Sequence, residues 1–219
     1  MTCDLPAGED GPDLPMPHPR TFTGGMAMTN GYLHDTAAGT LLIDAPSGCA
    51  GWLRDLGVKP VALLLTHQHY DHVEDVAAVV AWAACPVFAY ANHSTELTLE
   101  KLLESVGMMV DVPRYNVDTV LAGQTSLPLA GVDCRLAHVP GHAADSITFY
   151  FPADALVFSG DTLFAGGVGR TDLPGGSWET LLGGIRRELF TLPPATLVFP
   201  GHGEPSTIGD EMTGNPFLA

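Results

Sequence analysis

Apolar positions along this chain follow two grammars, short runs of strand type and longer stretches with helical spacing. Strand-type segments come first, at residues 21–28, 31–35 and 40–44, separated by Gly- and Asn-containing turns. Ser47 is placed to cap a helix that carries Trp52, Leu53 and Leu56 and stops at Gly57. The run VALLLT at 61–66 is short and apolar throughout, the pattern of a buried strand. A helical stretch at 76–84 and a strand at 86–90 follow. Leu99, Leu102, Leu103 and Val106 then fall at i, i+3, i+4 and i+7, one apolar helix face.

The second half repeats this order. Val132, Cys134, Leu136 and His138 alternate with other residues, and 147–151 and 155–159 read as strands. Ser177 is placed to cap a helix carrying Leu181, Leu182, Ile185 and Leu189, and 196–199 reads as a last short strand. Strands mixed with helices in both halves predict a layered α/β sandwich. A single domain is expected over 21–219, after a loose tail at 1–20.

Composition narrows the function classes. Hydrophobic residues make up 46% of the chain, enough for a substantial core. Acidic residues outnumber basic ones 25 to 9, for a formal charge of −16, which excludes nucleic acid and anionic lipid as natural partners. The apolar stretch at 76–91 is broken by Pro86 and too short to span a membrane. Cys3, Cys49, Cys85 and Cys134 form no Cys-x-x-Cys pair, and the acidic N-terminus contains no secretory pattern. A cytoplasmic protein with reduced thiols is expected.

The chemistry concentrates at strand ends. His67-Gln68-His69-Tyr70-Asp71-His72 directly follows VALLLT. His67 and His69, two apart, share one side of an extended segment. At this composition such a motif is expected roughly 0.001 times by chance, so coincidence does not explain it. His142 follows the alternating strand in Pro140-Gly141-His142, Asp161 follows the next in Gly160-Asp161-Thr162, and His202 lies in Pro200-Gly201-His202-Gly203. A lone strand-end histidine is more often structural than a ligand. Four junctions that each deliver His or Asp, with no thiolate, suit zinc, iron or manganese. Seven such ligands suffice for two metal ions sharing a carboxylate.

These motifs resemble the metallo-β-lactamase superfamily over nearly the whole chain. The resemblance implies an αββα sandwich with two divalent ions, zinc foremost, at the edge of its sheets. It assigns His67, His69 and His142 to the first ion, Asp71, His72 and His202 to the second, and Asp161 to the bridge. Gly160-Asp161-Thr162-Leu163-Phe164 with Gly169-Arg170-Thr171-Asp172 is similar to glyoxalase II-like thioester hydrolases and to persulfide dioxygenases. No cysteine lies in a ligand motif, which argues against antibiotic hydrolysis. Asp145 stands where many relatives have a small residue, and the C-terminal helical region that helps the classical enzymes grip glutathione is not seen after Phe217. Both argue against glutathione as the thiol.

The expected activity is hydrolysis of a small-molecule thioester, with Asp71 orienting the nucleophile as well as binding metal. The alternatives are a mononuclear iron persulfide dioxygenase, with the metal on His67, His142 and Asp161, and a metal-binding protein without catalysis. Arg170 could anchor a substrate carboxylate or be held in an ion pair with Asp172. Tyr70 is expected beside the site, His138 as a partner of a ligand, and His18, His34 and His93 as surface or structural residues.

Overall fold

Six strands from the first half form one sheet in chain order: β1 (Arg20–Gly24), β2 (Thr29–Thr36), β3 (Gly39–Ile43), β4 (Ala62–Leu64), β5 (Val87–Ala89) and β6 (Thr119–Val120). The computed structural model describes residues 18–129 and 131–218. The expected tail thus lies outside the described residues up to position 17, and Arg20 already belongs to β1. β1, β2 and β3 pair antiparallel, whereas β3 through β6 run parallel. Parallel neighbours need crossovers. These are supplied by α1 (Cys49–Leu56), by α2 (Tyr70–Val73) with α3 (Val76–Ala83), and by the segment containing α4 (Glu100–Ser105).

The second sheet begins as an antiparallel meander of β7 (Ser126–Leu129), β8 (Val132–His138), β9 (Ile147–Phe151) and β10 (Leu156–Gly160). A small hairpin, β11 (Leu163–Phe164) with β12 (Gly167–Val168), follows, and then α5 (Trp178–Gly184), continued by a π-helical turn at Ile185–Leu189. β13 (Leu197–Pro200) returns parallel to β10, β14 (Ser206–Thr207) pairs with β13, and α6 (Ile208–Gly214) ends the fold.

Strand alternation builds the layers. Leu41, Ile43 and Leu64 pack toward the other sheet against Phe149, Phe151, Phe158 and Phe199. Leu42, Leu63 and Leu65, one position out of phase, join Leu53, Val76 and Val79 of α1 and α3. Val157 and Val198 of the second sheet meet Leu181, Ile185 and Ile208 on its outer face. Side chains of period two thus separate three apolar clusters into helix, sheet, sheet, helix, the expected αββα sandwich. VALLLT reads as one continuous apolar run because β4 is covered on both faces.

Two local expectations fail. Ser47 does not cap α1; Gly48 stands there at φ 93 with no side-chain cap, a conformation glycine adopts without strain. Ser177 does cap α5, accepting from the Thr180 backbone N–H. The apolar face expected over Leu99–Val106 is not a buried helix face. Leu99 sits at φ 63 before a helix that ends at Ser105 with no buried residue, and Val106 is 71% exposed. Helical spacing persisted there without a neighbouring layer to cover it.

Candidate metal centre

The ligand candidates arrive from the ends of four strands. β4 leads through Leu65 and Thr66 to His67 and His69, and α2 turns Asp71 and His72 back toward them. β8 ends before His142, β10 before Asp161, and β13 before His202. Gly201 is required at the last junction because a Cβ there would collide with Asp161 Oδ1 and His72. Backbone ties close the arrangement. The Asn30 N–H donates to the Gly201 carbonyl at 2.7 Å, and the Tyr32 hydroxyl donates to the Pro200 carbonyl at 2.6 Å.

All seven residues meet in one place. Single ligand atoms of His67, His69 and His142, of His67, His72 and Asp161, and of Asp71, His72 and His202 lie within 4.8 Å of one another in each trio. Asp161 is central: its carboxylate oxygens lie 3.3 Å from His72 Nε2, 3.5 Å from His142 Nε2 and 3.3 Å from His202 Nε2. Asp71 Oδ2 lies 3.4 Å from His202 Nε2 and 3.6 Å from His72 Nε2. Two nitrogens on one zinc ion at ~2.0–2.1 Å are separated by about 3.3 Å in tetrahedral geometry. The spacing around Asp161 matches that separation.

Outer hydrogen bonds fix which ring nitrogen faces inward. His72 Nδ1–H donates to Asp44 Oδ2 at 2.8 Å. The Thr66 hydroxyl donates to the same carboxylate at 2.7 Å and therefore accepts from His67 Nδ1–H at 3.2 Å. His142 Nδ1–H donates to the Arg170 carbonyl at 2.9 Å. Each of these histidines thereby turns Nε2 toward the centre, the atom through which a metal would be held. His69 presents Nδ1 instead, 2.9 Å from His142 Nε2.

The donor set fits metal ions on a further count. His67 Nε2, His72 Nε2 and Asp161 Oδ1 are buried without a hydrogen-bond partner. A buried polar atom left unsatisfied costs about 1–3 kcal/mol, and three that converge on one point call for a shared cation.

Charge follows the same layout. Burial, reinforced by the neighbouring imidazoles of His72 and His69, holds His67 well below its usual range. Burial and His142 push His69 down to about 3. Both are therefore neutral, as ligation requires. Burial opposes charge on His72 as well, but Asp71, Asp161 and Asp44 outweigh it and raise that group well above the usual value. His202 is raised to about 10, its burial overcome by hydrogen bonds to Asp161 and Asp71. Asp71 is held near 2 although burial works the other way, because His72 and His202 favour its charge.

The other sequence candidates distribute around this centre. A cavity of about 180 Å³ opens over it, lined by Ala27, His69, Tyr70, Asp71, Leu99, His142, Asp161, Arg170, Leu173 and His202. Tyr70 thus stands beside the site and Arg170 on its rim. His138 does not support a ligand directly; it reaches the Ala144 carbonyl at 2.9 Å and stacks on Tyr90. His34 is buried between Phe151 and Phe158 with Nε2 on Asp154, and His93 packs against Tyr115.

Two supporting residues escaped the sequence reading. Asp44 orients His72 and Thr66; its one signal is that it ends a strand parallel to β4 and therefore emerges at the same sheet edge as His67. Thr29 donates to Asp71 Oδ2 at 2.6 Å, and nothing local in sequence marks it.

Comparison with known proteins agrees with this geometry. The family model for the metallo-beta-lactamase superfamily matches residues 24–202, and the chain belongs to that family. It is 35% identical over 170 residues to the hydroxyacylglutathione hydrolase GloC of Haemophilus influenzae, covering 75% of this chain and 77% of that one. Among solved structures, BLEG-1, described as a B3 metallo-beta-lactamase, superposes with a TM-score of 0.83 at 32% identity, over 92% of this chain and all of that one. TTHA1623, solved in a di-iron-bound form, gives a TM-score of 0.77 at 37% identity, over 91% of this chain and all of that one.

Proposed function

We propose that this protein is a dinuclear metal-dependent thioester hydrolase of glyoxalase II-like type. The observation that carries the reading is the convergence of seven His and Asp side chains, with three orphaned buried atoms, beneath a small open cavity. The similarity to GloC supports the reaction class. His67, His69 and His142 would hold one ion, Asp71, His72 and His202 the other, and Asp161 would bridge them. Zinc is the first choice on donor chemistry, and the di-iron form of TTHA1623 keeps iron in view.

Two ions held there would supply Lewis-acid polarisation and a water made acidic enough, from a pKa of 15.7 to about 7, to act as nucleophile near neutral pH. Asp71, ionised and anchored by Thr29, accepts a hydrogen bond from the attacking water and orients it toward the thioester carbonyl. Asp44 and the Arg170 carbonyl keep the imidazole lone pairs aimed inward. The departing thiolate needs no protein acid, since a free thiol has a pKa of about 8.5. Cys49, Cys85 and Cys134 are free and buried, and no helix among the described residues is long and apolar enough to cross a membrane. The free thiols support a place in a reducing compartment, the cytoplasm.

A second reading, β-lactam hydrolysis, rests on the similarity to BLEG-1. Metal analysis of the purified protein, paired with S-lactoylglutathione hydrolysis, β-lactam turnover and oxygen uptake on glutathione persulfide, separates these readings. About two ions per chain with thiol release supports the thioesterase. One iron per chain, with oxygen uptake and no thiol release, overturns it in favour of a dioxygenase, and turnover confined to the β-lactam overturns it in favour of a lactamase.

A further inference from the structure

The histidines of the centre are not held alike. Three have a hydrogen bond from outside: His72 to Asp44, His67 to the Thr66 hydroxyl and His142 to the Arg170 carbonyl. His202 differs. Its Nε2 faces Asp71 and Asp161, but among the described residues no group hydrogen-bonds its Nδ1. Its side chain is 27% exposed, whereas the other six residues of the cluster are buried. The backbone is fixed by a bridge to Thr29, so only the two side-chain torsions remain to be set. The ring that flanks it from outside the cluster is Phe164 of β11, edge to face, with centroids 6.1 Å apart and planes at 83°. That is the preferred arrangement of an aromatic pair, and it restricts rotation by packing rather than by a hydrogen bond.

Phe164 stands on a hairpin too small to hold itself, since β11 and β12 have two residues each. The hold comes from the C-terminal helix α6. Glu211, buried, accepts at Oε2 from the Gly166 N–H at 3.0 Å and from Asn215 Nδ2 at 2.7 Å. Asn215, also buried, gives its other amide hydrogen to the Gly167 carbonyl at 3.0 Å. A buried carboxylate is costly unless donors surround it, and here one donor is the tip of the hairpin itself. α6 can bear on that tip because it is anchored at its start, where Thr207 caps it and Ile208 packs under the second sheet. Beyond β12 the chain passes Gly169 to Arg170. The Arg170 side chain is taken by Asp172, Nε to Oδ1 at 2.7 Å, so its carbonyl is the group that serves the centre.

Resting on the dinuclear reading of the centre, we propose that Phe164 is the positioning residue for His202, and that Glu211 and Asn215 set it there from α6. The two ion sites then depend unequally on the hairpin. The site of Asp71, His72 and His202 needs the Phe164 ring to aim its third member. The site of His67, His69 and His142 takes no contact from that ring, and its histidines are aimed by Thr66 and the Arg170 carbonyl.

The test is the binding of zinc to the full chain, equilibrated against buffered metal concentrations and read by elemental analysis. Phe164→Ala should weaken one of two ions by about 10-fold or more and leave the other within about 2-fold. Phe164→Tyr, which keeps the ring, should restore both. Glu211→Gln, which removes the charge of the clamp, should weaken the same ion by about 3-fold. His202→Ala should lose that ion, and adding Phe164→Ala to it should have no further effect, because the two act as one unit. Equal weakening of both ions by Phe164→Ala overturns the proposal, since loss of general packing would do the same. So do unchanged affinities, or additive effects of the His202 and Phe164 changes. Unaltered protein that binds one ion or none overturns the dinuclear reading together with the proposal.

Discussion

Two buried polar clusters lie back to back on the segment from His67 to His69, and they differ in how their atoms are satisfied. On one side the imidazoles of His67 and His69 point into the cluster around Asp161, where three buried atoms have no partner. On the other, Gln68 donates to Asp145 Oδ2 at 3.1 Å and to the Ala91 carbonyl at 3.0 Å, and accepts from the Tyr115 hydroxyl at 2.9 Å. The second cluster is closed by its own members except for Asp145 Oδ1. Extended backbone alternation separates them, since residues 67 and 69 face one way and 68 the other. A polar group that finds its partners within the protein is scaffold, and a set of lone pairs converging without donors is a place for a cation. The Gln68 network is thus read as the brace that holds the ligand strand in register.

Changes that break the first cluster should have the largest effects. Asp161→Asn removes the charge of the central carboxylate that reaches three histidines, and kcat/KM should fall by about 10³-fold or more. Metal content, read by elemental analysis, should fall with it. Full activity in that variant would place the chemistry elsewhere.

Removing the ions should act on stability as well. Ligands present at 1,000 times their dissociation constant contribute ~4 kcal/mol, and each kcal/mol shifts the midpoint of a protein this size by about 2–4 °C. Chelation should therefore lower the melting temperature by roughly 10 °C, reversibly on adding zinc. A melting curve indifferent to chelator would contradict the reading of the orphaned atoms.

The support around the centre comes next in size. Asp44→Asn weakens the hold on His72 Nδ1 and Thr66, and metal affinity should drop about 10–100-fold, measured by competition with a chelating dye. The same titration on Thr29→Val would show whether Asp71 is orienting or merely ligating: kcat should fall more than metal affinity if the hydroxyl sets the carboxylate's direction.

The closed cluster should respond in the opposite sense. Burial raises the Asp145 carboxyl from 3.8 to about 6, so the folded protein holds that proton more tightly than the unfolded chain. Stability therefore declines as pH rises through the interval from 3.8 to about 6. Asp145→Asn removes this decline and should stabilise the protein at pH 7 by about 1–2 kcal/mol, once the unpartnered amide is set against the lost charge. Below pH 4 the advantage should vanish. Denaturant melts at both pH values check the sign, and destabilisation at pH 7 would show that the hydrogen bond from Gln68 to the ionised carboxylate outweighs its burial.

Much of the centre was legible because its residues are punctuated locally. His67, His69, Asp71 and His72 occupy six consecutive positions after an unmistakably buried strand. His142, Asp161 and His202 each follow a strand within a Gly-containing turn. Less was legible where a role depends on what lies across a gap. Leu99 to Val106 had the spacing of a packed helix face, yet no layer covers it and Leu99 lines the cavity instead. Ser47 had the chemistry of a cap, but the backbone enters α1 through Gly48 at a positive φ.

The sequence by itself determined the layering and which His and Asp residues gather at the strand ends, since both arise from short-range rules. Side-chain alternation sorts residues between the two faces of each strand, and imidazoles two apart on an extended segment share a side. The tertiary structure alone decided which groups orient those side chains and what lines the cavity above them. Asp44 meets His72 across 28 positions, Thr29 meets Asp71 across 42, and Gln68 meets Asp145 across 77. No periodicity spans such separations. They exist because two sheets stack with their strand ends at one edge, bringing buried polar groups to a place where water is excluded and each must find a partner.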